Sequence, residues 1–229
     1  MSRVMRRALV SVVLVLAACG HHGSGGSAAR ADDGDDAGTP RAAFWRHLEA
    51  LCPGAAEGRL LRAPEGDTQI DPGARLVVHF WECGPRELRF PLHVGENRSR
   101  TWVFIRHADA LELRHDHRHE DGLEESNTWY GASTADGGTA TRQEFVFERD
   151  GMTVGWRVEI EPGRRFTYGT LRDGEWRHHL EFDLTRDVET PPLPWGYEVR
   201  PSQRPDPAGR VGAGRIPVPR HGAGDAHGT

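Results

Sequence analysis

The chain has 229 residues, 37% hydrophobic and 28% charged, with a net charge of -5 at neutral pH. A charge so small and so mixed in sign lacks the basic face of a nucleic-acid binder, so no nucleic-acid partner is expected. The three cysteines include no Cys-x-x-Cys spacing, which argues against a cysteine-ligated metal.

Arg3, Arg6 and Arg7 precede an apolar run from Ala8 to Ala18 that is too short to cross a bilayer as a mature helix, the pattern of an export signal over residues 1–18. The run ends in Leu16-Ala17-Ala18-Cys19, which resembles the bacterial lipobox. That resemblance implies cleavage before Cys19, its diacylation and a membrane partner reached through this anchor. Gly20 after the cysteine favours the outer membrane in an organism that has one. An ordinary signal peptide with a chance cysteine is the alternative.

Residues 19–39 are mostly Gly, Ser, Ala and Asp, too poor in apolar side chains to offset the entropy of ordering, and read as a flexible tether. His21 and His22 within it read as incidental. The Pro-, Gly- and Arg-rich stretch 198–229 reads as a disordered tail. One domain is expected between them, over 40–197. With Cys19 lipidated, Cys52 and Cys83 remain as a pair in an oxidising compartment, so a disulfide is expected; closing a loop of about 30 residues stabilises by roughly 3–4 kcal/mol in the chain-entropy account.

Thr39-Pro40 reads as a helix cap followed by a first-turn proline, and Phe44, Leu48 and Leu51 recur at helical spacing until Pro53-Gly54. Beyond that point the period is two. Leu88, Phe90, Leu92 and Val94 alternate with polar neighbours, and strands are expected over Thr101–His107, the histidine-rich run after it, and Ser126–Gly131. Met152, Val154, Trp156, Val158 and Ile160 share one face, as do Trp176, His178, Leu180 and Phe182. Asp150-Gly151 and Asp173-Gly174 between alternating runs are strong hairpin signals. The expected fold is all-β: an antiparallel meander of about ten strands closed into an up-and-down β-barrel, preceded by one short N-terminal helix. This looks like the calycin arrangement of lipocalins and fatty-acid-binding proteins, an architectural analogy that assigns no function. The stretches AFWRHLEALCPGAAEG, FPLHVGENRSRTWVF, LRHDHRHEDG, ATRQEF, FTYGTLR and FDLTRDVETPPLPWG also resemble a family of bacterial secreted proteins and lipoproteins that brings no established activity, over about Phe44 to Gly196.

The stretch LELRHDHRHEDG, Leu111 to Gly122, is the leading candidate for chemistry. Leu111, Leu113, His115, His117 and His119 fall on one face of a strand, and Glu112, Arg114, Asp116, Arg118 and Glu120 on the other. Residues two apart sit roughly 6.7 Å apart, so a His-x-His pair can converge on one ion, whereas three such histidines span roughly 13 Å. A divalent transition metal would take a pair from His115, His117 and His119, with Asp121 or a neighbouring-strand residue completing the set; Zn, Cu, Ni and Fe all accept imidazole. A hairpin turning through Ala108–Ala110 places Val103 opposite His115 and Thr101 opposite His117. It leaves Trp102 and Phe104 on the face of Arg114. If that face lines the barrel, these residues, with Tyr130 and Trp156, suit an amphipathic or carboxylated small molecule. The plain alternative is a solvated strand end with cross-strand ion pairs worth a few tenths of a kcal/mol, or a pH-sensing role. Neither Ser126 nor Ser133 lies in a nucleophile elbow, and no Gly-rich phosphate loop exists, so no catalytic residue and no cofactor is assigned. The leading reading is a lipid-anchored envelope protein that binds a small or amphipathic ligand. A metal-dependent protein and an envelope scaffold with unknown protein partners are the alternatives.

Overall fold

The structure, a computed structural model, describes residues 38–135 and 138–197. The export signal, the lipobox with Cys19, most of the tether and the tail from 198 lie outside the described residues.

The helix forms where its cap is. Thr39 Oγ1 accepts the Ala42 N–H at 3.1 Å, Pro40 occupies the first turn, and α1 (Pro40–Glu49) buries Phe44, Trp45 and Leu48 against the core. The helix stops before Leu51, which packs partly buried against the same core from the turn that follows.

Twelve strands follow: β1 (Gly54–Arg62), β2 (Leu76–Phe80), β3 (Glu82–Cys83), β4 (Glu87–Val94), β5 (Asn97–Arg106), β6 (Leu111–His117), β7 (Tyr130–Ser133), β8 (Arg142–Arg149), β9 (Met152–Glu161), β10 (Arg165–Arg172), β11 (Glu175–Trp176) and β12 (His179–Asp183). Ten of them, all but β3 and β11, pair antiparallel in the order β7-β6-β5-β4-β2-β1-β12-β10-β9-β8, so that β12 returns to β1 and β7 and β8 end the path. The result is the expected meander, a nearly closed barrel of ten strands. At both Asp-Gly hairpins the two central residues have positive φ, 52° and 74° at Asp150-Gly151 and 48° and 78° at Asp173-Gly174, the type I′ geometry that this dipeptide favours. The strand expected from Ser126 is displaced: β7 starts at Tyr130, because 118–129 form a loop tied back to β6, with Trp129 N–H to His115 O at 2.6 Å. Cys52 and Cys83 are bonded, fastening the approach to β1 onto β3.

The interior is packed rather than hollow. Phe80, Phe90, Trp102, Phe104, Phe145, Phe166 and Phe182 meet inside with ring centroids typically 5–6 Å apart, as between Phe80 and Phe90 at 5.0 Å and Phe90 and Phe104 at 5.4 Å. Gly58 of β1 leaves no room for a side chain: a Cβ there would lie 2.4 Å from the Phe182 ring. The α1 residues join this cluster, and His47 Nδ1 donates to Ala140 O at 2.8 Å, tying the helix to the loop before β8.

Two irregularities position everything that follows. Every junction of the ring is a ladder of at least three residue pairs except β7 with β8, where pairing among the described residues reduces to Thr134 with Phe145 and to Ala135 N–H on Glu144 O at 3.1 Å. This is a seam. The second is a strap, residues 187–197, laid on the outside of β4 to β6: Arg98 donates to Leu193 O at 3.0 Å, Trp195 N–H donates to Arg98 O at 3.2 Å, and the Trp81 and Tyr197 rings meet at 5.3 Å. Val77, His79, His93, Thr101, Val103 and Asp116 point outward yet are buried.

Candidate functional site

The β5–β6 hairpin sets which side chains meet. Its connection has four residues, with His107 N–H donating to Ala110 O at 2.9 Å, so Arg106 pairs with Leu111. This corrects the expected register by one residue. Trp102, not Val103, stands opposite His115; Thr101 faces Asp116, and Arg100 faces His117. A one-residue slip exchanges the faces of a strand pair, so Trp102 and Phe104 share the interior with Leu113 and His115, and the expected set of Trp102, Phe104 and Arg114 on one face does not exist. Arg114 lies outside, paired with Glu112 and donating to Trp129 O at 2.9 Å.

The histidines part company as well. His115 is 3% exposed and enclosed by rings: Tyr130 stacks on it at 4.8 Å, Trp156 lies 4.6 Å away, and Trp102 stacks on Tyr168 at 3.8 Å. Its Nδ1 is 3.2 Å from Tyr130 O and its Nε2 is 2.6 Å from Tyr168 Oη. A carbonyl only accepts, so Nδ1 carries the proton and Nε2 accepts the Tyr168 hydroxyl. Burial pushes this imidazole down to about 3 and the Tyr168 phenol well up, so both are neutral at physiological pH. His117 is half-buried at the inner edge of β6, with Nε2 3.1 Å from Tyr130 Oη and Nδ1 3.7 Å from Glu125; burial, then the Arg100 charge, lowers it.

His119 is exposed in the loop after β6, and Asp121 accepts the Leu123 N–H at 2.9 Å as a turn residue. The expected metal set of His115, His117, His119 and Asp121 is therefore not brought to one point, and both ring nitrogens of His115 are already bonded. Among the described residues no three His, Cys, Asp or Glu side chains are gathered so that they could hold a metal ion. What does assemble is His115, His117, Tyr130 and Trp156, with Tyr168 added. This cluster lies behind the β7–β8 seam, where Phe147, 41% exposed, leans on Trp156 at 6.4 Å.

Three other polar arrangements were not visible in the alternation. Beneath the strap, Asp116 has a fully buried carboxylate that accepts Tyr197 O–H at 2.5 Å and Arg118 Nε–H at 3.0 Å, with Arg89 at 3.8 Å. Arg89 and Arg118 both lie over the Tyr197 ring, at 5.5 and 5.1 Å, and burial, then Asp116, pushes that phenol up to about 12. On β2 and β4, His79 and His93 are buried in the outer wall; burial lowers both, His93 to about 4 with help from His79 and Arg98. At the far end of β10, Thr170 Oγ1 is 2.8 Å from His178 Nδ1, and His178 Nε2 lies 3.3 Å from Asp67 but off the hydrogen-bonding direction. That contact pins the 63–75 segment to the barrel. The signal for the clasp at Asp116 was the PPLPWGY sequence: proline with two aromatics cannot be a solvated tail.

In comparison with known proteins, no family model, no curated protein and no solved structure matches this chain.

Proposed function

We propose that this is an exported envelope protein, anchored through a lipid on Cys19, whose barrel binds a small amphipathic molecule at the β7–β8 seam. One observation carries the reading: the one junction of the ring without a full ladder among the described residues lies over the Tyr130, His115, Trp156 and Phe147 rings. The packed aromatic interior counts against a ligand in a central lumen, so the proposed seat is the seam and not the inside of the barrel. Flat apolar rings recognise a flat or chain-like apolar body, and Arg100 with His117 beside Tyr130 supplies a polar rim for an anionic head. The export signal, the lipobox resemblance and the disulfide support the envelope location. No reaction is assigned to the cluster.

The probe is 1-anilinonaphthalene-8-sulfonate, fused rings carrying a sulfonate, with dodecanoate as competitor. Saturable binding is expected, displaced by dodecanoate and weakened about tenfold, or about 1.4 kcal/mol, by Trp156→Ala. Equal binding by Trp156→Ala and Tyr130→Ala, or none by the wild type, overturns the proposal. Palmitate labelling lost in Cys19→Ala tests the anchor separately.

A further inference from the structure

Two ring nitrogens in the outer wall stand out because they have neither a hydrogen-bond partner nor contact with solvent: Nδ1 of His79 and Nε2 of His93. Their residues are 6% and 4% exposed. Buried polar atoms in folded proteins are nearly always satisfied, and one that is not calls for a reason such as an ion. Here two occur on adjacent strands. Val77 pairs with His93 and Val78 with Leu92, which sets Pro91 opposite His79. The two histidines are thus diagonal neighbours on the outward face, at about 7–8 Å between backbones, a span that two imidazoles reaching toward each other can close around one atom.

We propose that His79 and His93 form a two-coordinate site for a soft monovalent cation, Cu(I) or Ag(I), in the barrel wall beside the strap. The donor set selects the ion. Zinc takes four ligands and calcium or magnesium takes oxygens, and among the described residues no third His, Cys, Asp or Glu is gathered to supply them. A filled d-shell cation of single charge is satisfied by two neutral imidazoles in line, and imidazole suits copper. Charge agrees: Arg98 lies near His93, and a single added charge is repelled less than a double one. A cleft of about 340 Å³ that His93 lines, between the β4–β5 hairpin and Glu189 to Pro192 of the strap, offers the route in. Arg75, Arg98, Glu96 and Glu189 line the same cleft, so its charges are balanced.

The test uses the full mature chain with ascorbate, which leaves the disulfide intact, and bicinchoninate as the competing chelator for Cu(I). One equivalent of Cu(I) is expected to stay with the protein, with two nitrogen neighbours in line by X-ray absorption. His93→Gln and His79→Gln, which keep volume and polarity, should each weaken retention more than about 100-fold, beyond the 10–100-fold loss typical of a supporting residue. His119→Ala and the linker variant His21→Ala/His22→Ala should retain the ion. If either glutamine variant is unfolded by circular dichroism, Ag(I) titration of the wild type decides, since the ¹⁵N resonances of His79 and His93 must shift together. No retention by folded wild type, retention unchanged in His93→Gln, equally tight Zn(II) binding, or shifts confined to other histidines overturns the site.

Discussion

At the scale of single residues, His115 is a titratable side chain enclosed in the barrel interior. It is held down to about 3 by burial, against 6.5 when free. The unfolded chain therefore binds one more proton than the folded one between these values, and stability rises with pH across that window. The contribution is complete above about 6.5 and drains away as the pH falls toward 3, at up to about 1.4 kcal/mol per pH unit. Urea unfolding at a series of pH values should show this slope, and His115→Phe should reduce it, with His79, His93 and His117 carrying the rest, while lowering stability at pH 7, because the Tyr168 hydroxyl loses its acceptor. A slope unchanged in the variant would mean that another group carries the acid sensitivity. The sequence placed His115 correctly on a face with leucines, because alternation survives any error of register. It could not show that Tyr168 and Trp156, from strands far along the chain, would enclose it.

At the scale of elements, the strap turns a solvated strand face into a buried one. Its hold rests on Tyr197, whose hydroxyl reaches the Asp116 carboxylate at 2.5 Å and whose ring lies against the Arg89 and Arg118 guanidinium groups. Tyr197→Phe should cost about 1–3 kcal/mol, the price of leaving a buried acceptor short of a donor. It should also speed hydrogen exchange at the Trp195 amide, which bonds to Arg98 O. Exchange at Trp195 equal to that of the wild type would show the strap held elsewhere. The same element shows where sequence reasoning stops. A charge in an alternating strand reads as solvent-facing, and Asp116 is not, because a segment some eighty residues later lies over it. The register of β5 with β6 was lost for a different reason: whether a hairpin connection has three residues or four is settled by one backbone bond, His107 to Ala110, that composition does not encode. That single residue decided whether Trp102 and Phe104 kept company with Arg114 or with His115.

For the whole molecule, strand count, antiparallel order, leading helix and cysteine pair were all legible, since each rests on a local signal: a period, a cap, an Asp-Gly turn or two cysteines left as a pair behind an export-like N-terminus. Closure was legible only as a tendency, and its gap at β7–β8 was not, because the loop from 118 to 129 shortens β7 through contacts that carry no pattern. The Cys52–Cys83 bond links the start of the barrel to β3 across 31 residues. Replacing both by serine should lower stability by roughly 3–4 kcal/mol in calorimetry or denaturant unfolding, and Cys52 and Cys83 of the wild type should show no reactive thiol when it is unfolded without reductant. Two reactive thiols, or an unchanged midpoint, would count against a structural role for the bond.

The stacked pair of Trp102 and Tyr168 has an optical consequence. Their rings lie 3.8 Å apart at an angle of 23°, one from β5 and the other from β10. Chromophores fixed so closely exchange excitation and acquire a strong near-ultraviolet circular dichroism that freely rotating rings lack. The two strands belong to opposite halves of the meander, so this band reports the moment at which the halves meet, whereas far-ultraviolet signals report strands that have formed anywhere. The protein thus carries its own clock for barrel closure, readable without a label.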